Sequence, residues 1–115
     1  MKKLNIVKSS DEFTRIIKDI KPKKFFGYLV FIEHKSVDHY EFGISVSKKV
    51  GNAVTRNRIK RQFKSIIDKN NYQNTFKCII IIKKEALDRD YHDLDEELKN
   101  YFLESNILED ENEKN

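Results

Sequence analysis

Proline occurs once and glycine three times in 115 residues, which argues against a collagen-like or low-complexity disordered chain. A single cysteine excludes an intramolecular disulfide framework. Cys78 lies in the apolar run Cys78-Ile79-Ile80-Ile81-Ile82 and reads as a buried core thiol. No apolar run approaches the roughly 20 residues that a membrane helix needs. The basic start Met1-Lys2-Lys3-Leu4-Asn5 is not followed by the apolar stretch of a secretory signal, so the cytoplasm is the expected compartment. His34, His39 and His92 show no metal-ligand spacing with Cys78. No Ser/His/Asp or Cys/His arrangement and no glycine-rich nucleotide loop is present. No catalytic residue and no protein-held metal is therefore assigned.

What remains is a chain long enough for one core, with a strongly uneven charge. Residues 1–84 hold 20 of the 23 Lys and Arg but seven acids, a net of +13. Residues 85–115 hold 12 acids and three bases, a net of −9. A split of this kind predicts a basic surface that attracts polyanions, followed by an acidic segment.

The pattern of apolar residues places the elements. Ser9 and Glu12 form a capping box. Phe13, Ile16, Ile17 and Ile20 then recur at helical spacing, giving a helix over 10–20 that Pro22 stops. Phe25 through Glu33 reads as one strand. Tyr40 to Ser47 alternates, with Tyr40, Phe42, Ile44 and Val46 on one face and Glu41, Gly43, Ser45 and Ser47 on the other. These two strands are expected to pair as an antiparallel hairpin. A helix follows over 53–70 with Ile59, Phe63, Ile66 and Ile67 on one face. Phe76 to Lys83 is a strand buried on both faces, running parallel beside the Tyr40–Ser47 strand with the helix as crossover. After a loop at 84–90, Tyr91, Leu94, Leu98, Tyr101 and Phe102 are spaced for a third helix. Its crowd of carboxylates, Asp88 to Glu97, reads as a solvated acidic face rather than a hard-cation site. The fold class is an α/β (α+β) sandwich with a small mixed sheet and three helices. Residues 1–108 form one domain, and residues 109–115 read as a frayed acidic tail.

The stretch from Lys48 to Lys64 carries seven basic residues and no acid. At about 100° per residue, Asn57, Arg61 and Lys64 lie opposite the apolar face, with Lys60 and Arg58 on its flanks. Arg56 lies near the apolar side, in the first turn, where its side chain can still escape to solvent. Arginine forks and lysine point charges suit phosphates, as do the free N–H groups at a helix start. A charge run is usually just a solvated face. Such a face normally interleaves signs for i,i+4 pairs, and this one stacks like charges instead.

A second candidate is aromatic. Phe13 and Ile17 share a face of the first helix, and Tyr28 or Phe31 projects from the next strand. Such side chains stack unpaired bases, although they also serve as ordinary core.

The run Ser47-Lys48-Lys49-Val50-Gly51-Asn52-Ala53-Val54-Thr55-Arg56-Asn57-Arg58-Ile59-Lys60-Arg61 resembles the signature of the bacterial ribonuclease P protein family at every specified position. The surrounding layout of helix, aromatic strand, apolar strand and leucine-rich helix is similar too. The resemblance implies a small α/β sandwich with a left-handed β-α-β crossover, of the kind found in the second domain of a small-subunit ribosomal protein. It implies an endoribonuclease holoenzyme that hydrolyses one phosphodiester bond to remove the 5′ leader of precursor tRNA. The catalyst would be a large RNA with Mg²⁺ bound mainly by that RNA. The protein would be the RNA- and leader-binding subunit, with neither a membrane nor a small-molecule substrate as partner. By position, Arg56, Asn57, Arg58, Lys60 and Arg61 would contact RNA, with Lys48, Lys49, Asn52 and Lys64 beside them. Phe13, Ile17 and Phe31 would line the leader cleft.

Three other readings stay open at this point: a ribosomal or RNA-chaperone module without enzymatic role, a DNA-binding protein using the basic helix in a major groove, and a protein-only nuclease, which would need clustered metal-binding carboxylates.

Overall fold

The computed structural model describes residues 5–35 and 38–109. Four strands and three α-helices are present: α1 (Ser10–Asp19), β1 (Lys23–Phe25), β2 (Tyr28–His34), β3 (Glu41–Val46), α2 (Ala53–Asp68), β4 (Phe76–Ile82) and α3 (Tyr91–Glu104). They form one mixed sheet in the order β1-β2-β4-β3.

Two pairings correct the sequence reading. The expected strand over 25–33 is a hairpin, with β1 antiparallel to β2 in the register Phe25↔Tyr28. Phe26 and Gly27 make its two-residue turn, and Gly27 has φ 95°, a conformation that glycine adopts without strain. The expected hairpin between β2 and β3 does not form, because β4 lies between them, antiparallel to β2 and parallel to β3. A strand nearly continuous in isoleucine is most stabilised where both its edges and both its faces are covered. The six residues between β2 and β3, 35–40, are enough to carry the chain past it. The parallel pairing of β3 with β4, with α2 as crossover, is as expected.

Alternation along β4 divides the interior in two. Cys78, Ile80 and Ile82 face α2 and α3 in the main core, with Tyr28, Phe42, Ile59, Phe63, Ile66, Leu94, Leu98 and Phe102. Cys78 is fully buried, and burial pushes its thiol pKa far up, as a core thiol requires. Ile79 and Ile81 face α1 on the opposite side. There a smaller cluster has Ile16, Phe31 and Ile79 fully covered, and Phe13, Ile17, Ile20 and Leu29 partly so.

The ends of the helices follow local chemistry. Ser9 Oγ accepts from Glu12 N (3.3 Å) and Asn52 Oδ1 accepts from Thr55 N (2.9 Å), each cap supplying an acceptor for a free helix N–H. Beyond α3, Asn106 is left-handed (φ 59°), with Asn106 N bonding Leu103 O and Ile107 N bonding Phe102 O. This Schellman stop turns Ile107 into the core and sets Leu108 beside Tyr72. Glu109 N, at the first residue of the expected tail, donates to Asn71 O (2.8 Å). The rest of the expected tail, 110–115, lies outside the described residues.

Candidate RNA interface

Helix α2 docks through Ile59, Phe63, Ile66 and Ile67, all buried. The docking turns the remaining surface outward. Arg58, Arg61 and Asn57 are exposed, while Arg56, Lys60 and Lys64 are half-buried beside the sheet. Lys48 and Lys49 are exposed on a 3-10 turn just before the helix, capped by Ser47 Oγ, which accepts from Lys49 N (3.3 Å). Gly51 follows at φ 151°, ψ −159°, a backbone region essentially restricted to glycine.

The electrostatics single this helix out. From Lys48 to Lys64, none of the seven cations forms an ion pair among the described residues. Elsewhere four cations are matched, Arg15 to Glu33 and Glu12, Lys77 to Glu12, Lys69 to Asp95 and Arg89 to Glu97, while others, Lys24 and Lys83 among them, also form no ion pair among the described residues. Arg56 adds a sharper sign, since its Nε is buried and meets no acceptor among the described residues. A buried N–H without an acceptor is costly and uncommon. Arg56 instead lines a groove of about 200 Å³ with Val46, Ala53, Asn57 and Lys60. It escapes to solvent less freely than its first-turn position suggests. Asn52 is committed through Oδ1 to capping α2, so of the expected RNA contacts it has a structural task of its own.

The second groove joins the two halves of the predicted site. Phe13 from α1 and Lys60 and Lys64 from α2 line one space of about 170 Å³, wrapped around β3 at Phe42, Gly43 and Ile44. The Phe13 ring rests on Gly43, where an added Cβ would meet ring carbons at 3.0 Å. Ile17 stands half-buried on the same flank of α1. Phe31 behaves differently. It is only 3% exposed, beneath α1 against Ile16 and Ile79, so it serves as floor and offers no free ring face. The half-buried residues beyond α1 are Leu29 and Ile81, paired across β2 and β4. The sequence reading missed both, although strand alternation already puts Leu29 on the face of Phe31.

The opposite flank of α1 is tied down by charge. Arg15 Nη1 and Nη2 donate to Glu33 Oε2 and Oε1, both at 2.7 Å, and Nη2 also donates to Glu12 Oε1 at 2.7 Å. Lys77 Nζ donates to Glu12 Oε1 at 3.1 Å. The Arg15 and Lys77 hydrogen bonds hold the Glu12 carboxyl at a pKa of about 2. On α3, Glu97 accepts from the Tyr28 hydroxyl (2.7 Å) and from Arg89 (3.2 Å). The acids near the sheet are thus engaged by cations and hydroxyls. Among the described residues no three His, Cys, Asp or Glu gather in a group fit to hold a metal ion. No described helix is long and apolar enough to cross a membrane.

A mixed sheet carrying a cationic helix, acid-free through Lys64, on one side and a narrow apolar cleft on the other defines a small α/β protein with a surface suited to a polyanion. Comparison narrows the class. The family model for ribonuclease P matches residues 1–105. A ribonuclease P protein component from Streptococcus pyogenes is 33% identical over 110 residues, covering 95% of this chain and 92% of the relative. The ribonuclease P protein of Staphylococcus aureus superposes with a TM-score of 0.76 at 28% identity, over 91% of this chain and 98% of the other. That of Thermotoga maritima gives 0.67 at 27% identity, over 78% and 87%. The chain belongs to the ribonuclease P protein family. It is a subunit of the ribonuclease P holoenzyme, which acts in tRNA 5′ processing.

Proposed function

We propose that α2 and the turn before it dock on the catalytic RNA of the holoenzyme, and that the cleft between α1 and the sheet takes the single-stranded 5′ leader of precursor tRNA. The observation that carries this reading is the set of cations on α2 that form no ion pair among the described residues. Phosphate oxygens supply their counter-charges, and the released counterions drive association. Lys48, Lys49, Arg58, Lys60, Arg61 and Lys64 neutralise the backbone, while Arg56 and Asn57 fix its register beside β3. On the other side, Phe13 and Ile17 offer apolar faces to unpaired leader bases.

No side chain of this chain acts on the scissile bond in this reading. Glu12, Glu33, Asp95 and Glu97 are engaged in ion pairs, and in this reading the Mg²⁺ that hydrolysis uses belongs with the RNA partner. The protein lowers the energy of the substrate complex by holding RNA and leader together, a positioning contribution. The cytoplasm, where tRNA is made, is the corresponding compartment.

The test is reconstitution with a bacterial ribonuclease P RNA at low Mg²⁺ and a precursor tRNA bearing a 5′ leader. Stimulated cleavage at the mature 5′ end is the expected result. Binding of structured RNA without any stimulation returns the protein to a chaperone or ribosomal role.

A further inference from the structure

The hairpin between β1 and β2 ends in an aromatic ring held out in solvent. Phe26 is 61% exposed, yet its backbone is fixed. Arg89 Nη1 donates to Phe26 O at 2.7 Å, and Lys83 N donates to Gly27 O at 2.8 Å, extending the β2–β4 ladder by one step. Gly27 sits so close on the chain at Ala86 that an added Cβ would meet Ala86 N at 2.5 Å. A rigidly mounted exposed ring loses little conformational freedom on binding a flat partner.

Its surroundings are cationic and continuous with the cleft. Lys24 pairs with Leu29, so it stands on the sheet face that α1 covers. Lys83 follows Ile81 by two residues and continues the same face. Both lysines are exposed, and neither forms an ion pair among the described residues. Glu85 and Asp88, on the neighbouring 3-10 turn, do not engage them. From Phe31 to Gly27 along β2 is about 13 Å at the usual rise per residue. A surface thus runs from Phe13 and Ile17, over half-buried Leu29 and Ile81, to Lys24, Lys83 and Phe26.

We propose that this hairpin tip is a stacking site for an unpaired nucleotide of single-stranded RNA: the Phe26 ring takes the base face, and Lys24 and Lys83 take the flanking phosphates. As an extension of the cleft, it rests on the leader reading above. A π-face accepts any base, so the site adds affinity with little sequence preference.

The sequence contains no tryptophan, so Phe26→Trp installs a unique fluorescent reporter in the full-length protein. Short oligouridine should quench it, and duplex RNA of equal length should not. Absence of quenching, or equal quenching by duplex, overturns the proposal. In the reconstituted holoenzyme, Phe26→Ala and Phe26→Leu should each weaken binding of a long-leader precursor by about tenfold. Both should leave a precursor whose leader is trimmed short of the hairpin unaffected. Full retention of affinity by Phe26→Leu would show that any apolar group serves and would also overturn stacking. If the wild type binds mature and precursor tRNA alike while the reporter still responds to oligouridine, the leader reading fails and the stacking site stands.

Discussion

The cations of α2 and the four that are paired near α1 and α3, Arg15, Lys77, Lys69 and Arg89, belong to the same small protein but stand in opposite surroundings. Arg15 spends its planar fork on two carboxylates, Glu33 and Glu12, and Lys77 completes the cluster. Arg89 and Lys69 each find an acid on α3. On α2 five cations lie within nine residues, Arg56 to Lys64, and none has an acid to meet among the described residues. Matched charge stays within the fold and orients its parts. Unmatched charge raises the energy of the isolated protein by self-repulsion, which a polyanionic partner relieves. In the proposed reading one set serves architecture and the other binding.

Four measurements break or sharpen that contrast, the largest effect first. Phe63→Ala removes the fully buried anchor of α2 and should cost about 3–5 kcal/mol of folding stability by denaturant titration, with RNA binding lost only as the fold is lost. Arg58→Ala combined with Arg61→Ala should act the other way round. Affinity for the RNA subunit should fall roughly ten- to hundredfold and the salt slope should drop by about two, with stability changed by less than about 0.5 kcal/mol. An unchanged salt slope would move the interface off α2. Tyr28→Phe deletes the hydroxyl that Glu97 accepts and should cost about 1 kcal/mol of stability without altering RNA affinity. The smallest effect is on pH dependence. Glu12 titrates at about 2 in the fold against 4.5 in the unfolded chain. Its contribution is therefore complete above pH 4.5 and is lost as pH falls towards 2. Glu12→Gln should lower stability at neutral pH, where that contribution is fully present, and flatten the profile between pH 4.5 and about 2.

Much of this architecture could be read from local pattern. The cap at Ser9, the anchor stripe of α2 and the two-faced burial of β4 all depend on residues within a turn or two of one another, and each stands where expected. The cationic stretch was equally legible, because an acid-free basic run needs no partner to be noticed. The errors arose where the answer depended on distant chain. Nothing near Phe25 to Glu33 except Gly27 signals a turn, and nothing in β2 or β3 says that a strand more than 30 residues later separates them. Phe31 looks like an available ring until α1 is laid over it, and Arg15 finds Glu33 and Glu12 finds Lys77 only after folding.

The central place of β4 sets an order of events during synthesis. β2 and β3 touch only through it, so a growing polypeptide that has not yet delivered residues 76–82 has a short hairpin and an unattached strand, but no sheet. By then the ribosome has already released the whole of α2, with its oily stripe lacking a surface to settle on. The protein's most cationic helix is thus made before the strand that fixes its orientation. Long-range pairing of this kind makes folding slower than local contacts allow. The half-made chain leaves the ribosome cationic and incompletely folded, among the cell's most abundant RNA.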